Sequence, residues 1–212
     1  WLVGYAVALA SAISVLLAAL AARRRDGAAD HAVRVIPLVG LGMPSFWIAL
    51  LLVEVFSLRL RLFPVATFGV GVLGHLHAMF LPALTIAVAM VPPLVRSLRV
   101  ALLRIGESDF VTTARAKGLG EWTVLRDHGL RNALVSTVTV LGVNVAYLVG
   151  GTLVVEKVFG LPGLGSLMID AIFNRDFPVV QGVTFVFAVL VVLVNLVTDV
   201  VHALLDPRVA YP

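Results

Sequence analysis

Few residues in this chain could do chemistry, and their spacing keeps most of them apart. Ser166 follows Gly165 as a nucleophile at a turn would. A serine nucleophile needs a histidine within hydrogen-bond reach, and His202 lies beyond a long apolar run, while Ser45 has no histidine at a matching position. His75 and His77 stand two apart and diverge on a helix, with no third histidine or carboxylate beside them in sequence to complete a metal site. The absence of cysteine removes disulfides, thiol catalysis and thiolate ligation together. Lys117-Gly118-Leu119-Gly120 lacks the Gly-x-x-x-x-Gly-Lys-Ser/Thr order that cradles nucleotide phosphates. Two carboxylates remain, Glu54 and Asp199, in apolar surroundings where acids carry protons or sodium through ion-coupled transporters and channels. Those two fall at opposite ends of their runs, and Pro92-Pro93 breaks one apolar run with no matching break elsewhere.

What must position these residues is a set of apolar segments. The 212 residues are 60% hydrophobic and 13% charged, with a mean hydropathy of +1.05, more apolar surface than a soluble fold of this size can hide. Charge-free runs cover 1–22, 35–53, 76–95, 132–155 and 177–198, each near the ~20 residues that cross a bilayer as helix. They are continuously apolar, which excludes the alternation of a closed barrel. The expected fold is an all-α membrane protein, a polytopic bundle with five transmembrane helices, and 1–212 reads as a single domain without linker or internal repeat.

Orientation follows from the basic residues. Arg23, Arg24, Arg25, Arg34, Arg96, Arg99, Arg104, Arg115, Lys117, Arg126, Arg131 and Arg208 share one side, against Arg59, Arg61, Lys157 and Arg175 on the other. Short loops rich in Lys and Arg stay cytoplasmic, so the Arg23 to Arg34 turn, a loop over about 104–132 and the C-terminal tail face the cytoplasm. Trp1 is then outside, and an earlier spanning helix is expected before it. The same bias accounts for the basic pI of about 10.1 and argues against nucleic acid as a partner.

Inside the cytoplasmic loop, Ser108 suits an N-cap, Asp109 the first turn and Gly118 a C-cap, which predicts a short amphipathic helix. Its basic residues also suit lipid headgroups, a reading the loop alone leaves open. On the outer side, Pro162-Gly163 makes a turn, and Leu164, Leu167, Met168, Ala171 and Ile172 follow at one-face helical spacing, predicting an external amphipathic helix within about 157–177. Asn195 and Asp199 share a face one turn apart; Asp199 is either an anchor paired with Arg96 or Arg99 or a pathway contact. Glu54 is either an interfacial carboxylate or a group meeting a substrate's amino terminus. Asn144 is placed for an interhelical hydrogen bond.

The blocks Asp109-Phe110, Thr113-Ala114-Arg115-Ala116-Lys117-Gly118-Leu119 and Arg131-Asn132-Ala133 resemble the EAA loop of permease subunits of ABC importers, in the dipeptide, oligopeptide and nickel branch. The glutamate and proline of the general signature are absent, and Asp127 and Gly129 stand where that branch has Arg and Ala. Pro44-Ser45-Phe46-Trp47, Leu81-Pro82-Ala83-Leu84, Gly160-Leu161-Pro162-Gly163-Leu164-Gly165, Asn174-Arg175-Asp176-Phe177-Pro178 and Leu205-Asp206-Pro207-Arg208 resemble the same branch in the same order.

The resemblance implies a multi-pass protein of the bacterial cytoplasmic membrane, typically with six spans of which the first precedes this chain. It implies a coupling helix, Asp109 to Leu119, seated in a cytoplasmic ATPase, and no catalysis or cofactor in this chain, since ATP and Mg are bound by two partner ATP-binding subunits. The implied partners are also a second homologous permease, usually a different one, and an extracytoplasmic binding protein that delivers peptide. Leu164, Leu167 and Met168 then stand at the outer gate.

Overall fold

The computed structural model describes residues 1–23, 27–65, 69–106, 111, 118 and 131–205. Among these, the regular structure is helical. The elements are α1 (Leu2–Arg23), α2 (Ala28–Gly42), α3 (Ser45–Leu52) running into a π-helical stretch (Val53–Arg59), α4 (Gly71–Gly106), α5 (Arg131–Val158), α6 (Leu164–Phe173) and α7 (Phe177–Leu205). Helices α1, α4 and α7 are long and apolar enough to cross a membrane, and the two halves of α5 together make a fourth such segment.

Small side chains set the centre of the bundle. Ala6, Ala10, Ser14 and Ala18 recur every four residues along α1 and are fully buried; α1 lies against α4 over much of its length. In a bilayer water cannot drive two helices together, so close backbone approach over small residues supplies the contact. Leu81, Ile86, Met90, Leu94 and Leu98 of α4 fill the other side.

Prolines act differently in two places. The run 35–53 reads as one helix, but the chain breaks at Met43-Pro44. Met43 is extended at φ −96° and ψ 136°, as the residue before a proline prefers, and Pro44 then starts α3. Pro92-Pro93, read as a break, lies inside an unbroken α4 with Pro82. A mid-helix proline costs about 3 kcal/mol, and packing outweighs it here, because 72% of α4's most apolar stretch is buried against neighbours. α5 bends by 57° between Thr137–Leu148 and Gly150–Val158, where Gly150 and Gly151 offer no side chain to stiffen it.

Candidate functional site

The predicted coupling segment falls largely outside the described residues, namely Asp109, Phe110, Thr113, Ala114, Arg115, Ala116, Lys117 and Leu119. Two positions in the loop are described. Val111 is buried, and Gly118 has φ +80°, the left-handed conformation in which a glycine ends a helix.

The outer segment is a built structure. Phe159 N–H and Leu161 N–H bond to Val155 and Glu156 carbonyls at 3.0 and 2.8 Å, and Gly160 at φ +61° turns the chain. Glu156, at the end of α5, then reaches the start of α6, where its Oε2 accepts from Gly165 N–H at 2.8 Å and Ser166 N–H at 3.1 Å. Those amides belong to a first turn with no helical partner, and a negative charge suits that end of the helix dipole. The Ser166 hydroxyl donates to the Gly163 carbonyl at 3.0 Å and accepts from its N–H at 3.1 Å. Lys157 pairs with Asp170 on the next turns of α6. The glycines make this approach possible: a Cβ on Gly163 would lie 2.2 Å from Glu156 Oε2, and one on Gly165 2.6 Å from Leu153 Cα.

The same approach sets which face α6 turns to the bundle. Gly165 and Ala171 face the bundle and are buried, Met168 is half-buried, and Leu164, Leu167, Ile172 and Phe173 are exposed. The apolar spacing predicts the helix correctly, but this chain covers little of its leucine face. The chain then turns through Arg175 at φ +57°, and Asp176 Oδ1 caps α7 by accepting from Val179 N–H at 3.3 Å.

The intramembrane polar groups divide otherwise than predicted. Arg99 does not serve Asp199; it grips Asp30 of α2 through Nε and Nη2 at 2.6 and 2.7 Å, and Asp30 has no exposed surface. Arg96 on α4 is exposed, and so are Asn195 and Asp199, since α7 packs chiefly on α5 and α6. Asn144 donates within its own helix to Val140 O at 2.7 Å, in place of the predicted bond to another helix. Glu54 pairs with Arg59 at 2.9 Å, both exposed. His75 and His77 donate to different carbonyls, Gly71 at 2.7 Å and Leu62 at 2.9 Å, and His202 meets Thr139 at 3.2 Å, far along the chain from Ser166.

Glu156 and Asp30 were missed by sequence reasoning. Glu156 stands one residue past a charge-free run and Asp30 in a charged turn, so each reads as a solvated boundary acid; the signal available for Glu156 was the glycine block just after it.

These features define a multi-pass helical membrane component. The family model for the binding-protein-dependent transport system inner membrane component matches residues 14–211, and the chain belongs to that family. It is similar to the oligopeptide transport system permease protein AppB of Bacillus subtilis, 40% identical over 210 residues, covering 96% of this chain and 66% of that protein. The dipeptide transport system permease protein DppB of the same organism is 35% identical over 204 residues, covering 96% and 65%. The chain thus spans about two thirds of the length of these relatives. Its fold is similar to that of a chain of the MetNI methionine ABC transporter solved in inward-facing conformations, with a TM-score of 0.72 at 18% identity, over 97% of this chain and 94% of that one.

Proposed function

We propose that this chain is the permease subunit of an ATP-driven peptide importer, forming half of the pathway for di- or oligopeptides across the bacterial cytoplasmic membrane. The observation that carries the reading is the 40% identity to an oligopeptide permease, sustained over 96% of the chain. The whole chain acts as one permease domain. It pairs with a second homologous permease, receives peptide from an extracytoplasmic binding protein, and holds no nucleotide. ATP and Mg belong to two partner ATPase subunits, and Asp109 to Gly118 is the helix that docks on them, with Leu119 beside it. The left-handed backbone at Gly118 supports a glycine-stopped helix there. Leu164, Leu167 and Met168 form the outer gate, while Glu54, Asn144, Asn195 and Asp199 serve the pathway or its helix packing.

The test is uptake of labelled peptide by vesicles holding the assembled complex, with ATP inside or with an imposed ion gradient alone. ATP-dependent uptake is expected. Gly118→Glu, which puts a bulky acid into left-handed backbone, should insert normally yet lose co-purifying ATPase and nearly all uptake. Gradient-driven uptake without nucleotide would reject the reading in favour of an ion-coupled transporter, and unaltered ATPase binding in Gly118→Glu would reject the docking role.

A further inference from the structure

We propose that Glu156 is a positioning residue, a latch that locks α6 to the outer half of α5 so that the two move as one body when the pathway opens. The inference rests on the permease reading above. α5 begins at Arg131, directly after the cytoplasmic loop, and ends at Val158 beside the outer helix. A displacement entering at its cytoplasmic end therefore travels along α5, and the bend at Gly150-Gly151 divides it into an inner arm and an outer arm. What the outer arm carries is decided by its last turn. There a single carboxylate oxygen takes two amides of α6, the Glu156 carbonyl takes Leu161 N–H, and Lys157 holds Asp170.

These ties leave the same turn of α5 and serve one purpose. Gly163 and Gly165 leave no room for side chains between the carboxylate and the α6 backbone, so α6 sits at one distance and one angle from α5. A loosely packed cap would need neither glycine. The second tie is offset along α6, from Gly165 to Asp170, and two separated attachments suppress the swivel that one would permit. The hinge is thus the glycine pair within α5, and the α5 to α6 junction is rigid. Leu164 and Leu167, exposed on α6, would be carried toward or away from the outer mouth with the arm.

The chain has no cysteine, so spin labels go only where they are placed. Val154→Cys on the outer arm and Phe173→Cys on α6 are both exposed positions. In the complete reconstituted transporter, the distance between them should be narrowly distributed and equal in nucleotide-free and ATP-bound states. Glu156→Ala should broaden it and cut peptide moved per ATP hydrolysed by about ten-fold, the loss of charged hydrogen bonds, while ATPase activity stays within about two-fold. Glu156→Gln keeps an acceptor oxygen of the same shape and should fall between. Wild-type distances and uptake in both variants, or in Glu156→Gln should the alanine variant not assemble, overturn the latch. So does a distance in the doubly labelled chain with Glu156 intact that shifts between nucleotide states. Failure of the permease reading shows separately, as uptake by the unmodified complex that ignores ATP.

Discussion

A carboxylate with no exposed surface keeps its charge only if its neighbours replace water, and Arg99 does this for Asp30 with two parallel bonds. Such a pair contributes little over an apolar one of equal volume, but removing one partner of a buried pair is generally destabilising, by up to about 3–5 kcal/mol. Arg99→Met should therefore lower the unfolding midpoint in detergent, whereas Asp30→Leu with Arg99→Met should recover much of the loss. Single variants that melt with the parent would show the pair to be idle. The sequence directs attention to Asp199 instead, since an acid inside an apolar run demands a partner. Asp30 sits four residues past Asp26 and near three arginines, and nothing local says that α4 will cover it. Long-range burial, between residues 69 apart in sequence, is what a one-dimensional pattern cannot carry.

Helix α7 depends on where α5 lets it approach. A Cβ on Gly142 would lie 2.3 Å from the side chain of Thr198, so the two backbones meet at a distance only glycine permits, with Thr139 and His202 in contact one turn away. Overpacking such a crossing costs about 1–3 kcal/mol where the structure can relax. Gly142→Leu should force α7 outward. A Thr139→Cys, His202→Cys pair, cross-linked efficiently by a short bifunctional reagent in the parent, should lose most of that yield when Gly142→Leu is added; undiminished cross-linking would show that the crossing adapts. The existence of these helices was legible from the apolar runs, because about 20 uncharged residues have few other fates. Their interruptions were not. Pro44 breaks its run and Pro92-Pro93 does not, and the difference lies in the packing around α4, which supplies the free energy to hold a flawed helix unbroken. The helix Leu164–Phe173 was legible from its spacing, but the face it turns to the bundle was not, because that is set by Glu156 from another element.

At the scale of the molecule, the burial of the spans is uneven in a way that assigns surroundings. In its most apolar stretch α7 has few fully buried residues and α4 has many, so α4 is the centre of the bundle, and α7, apart from the side that packs on α5 and α6, faces lipid or another membrane subunit. Its mean hydropathy of 2.5 makes either acceptable and water unacceptable. The orientation of the whole then rests on twelve basic residues against four. Charge bias fixes orientation through the short loops beside each span, and the helices described here alternate as it requires. On that expectation Arg23 at the end of α1 and Arg104 at the end of α4 belong to the inner side, and Arg59 at the end of the π-helical stretch and Arg175 before α7 to the outer side. Single cysteines at Arg175 and at Gly27 separate the two faces without any native thiol to confuse them. In intact cells or right-side-out vesicles, a membrane-impermeant maleimide should label Arg175→Cys and spare Gly27→Cys, and permeabilisation should expose the second. The reverse pattern would invert the membrane orientation and put α6 on the side of the proposed ATPases, which would remove both the proposed outer gate and the proposed path by which Glu156 passes motion to it.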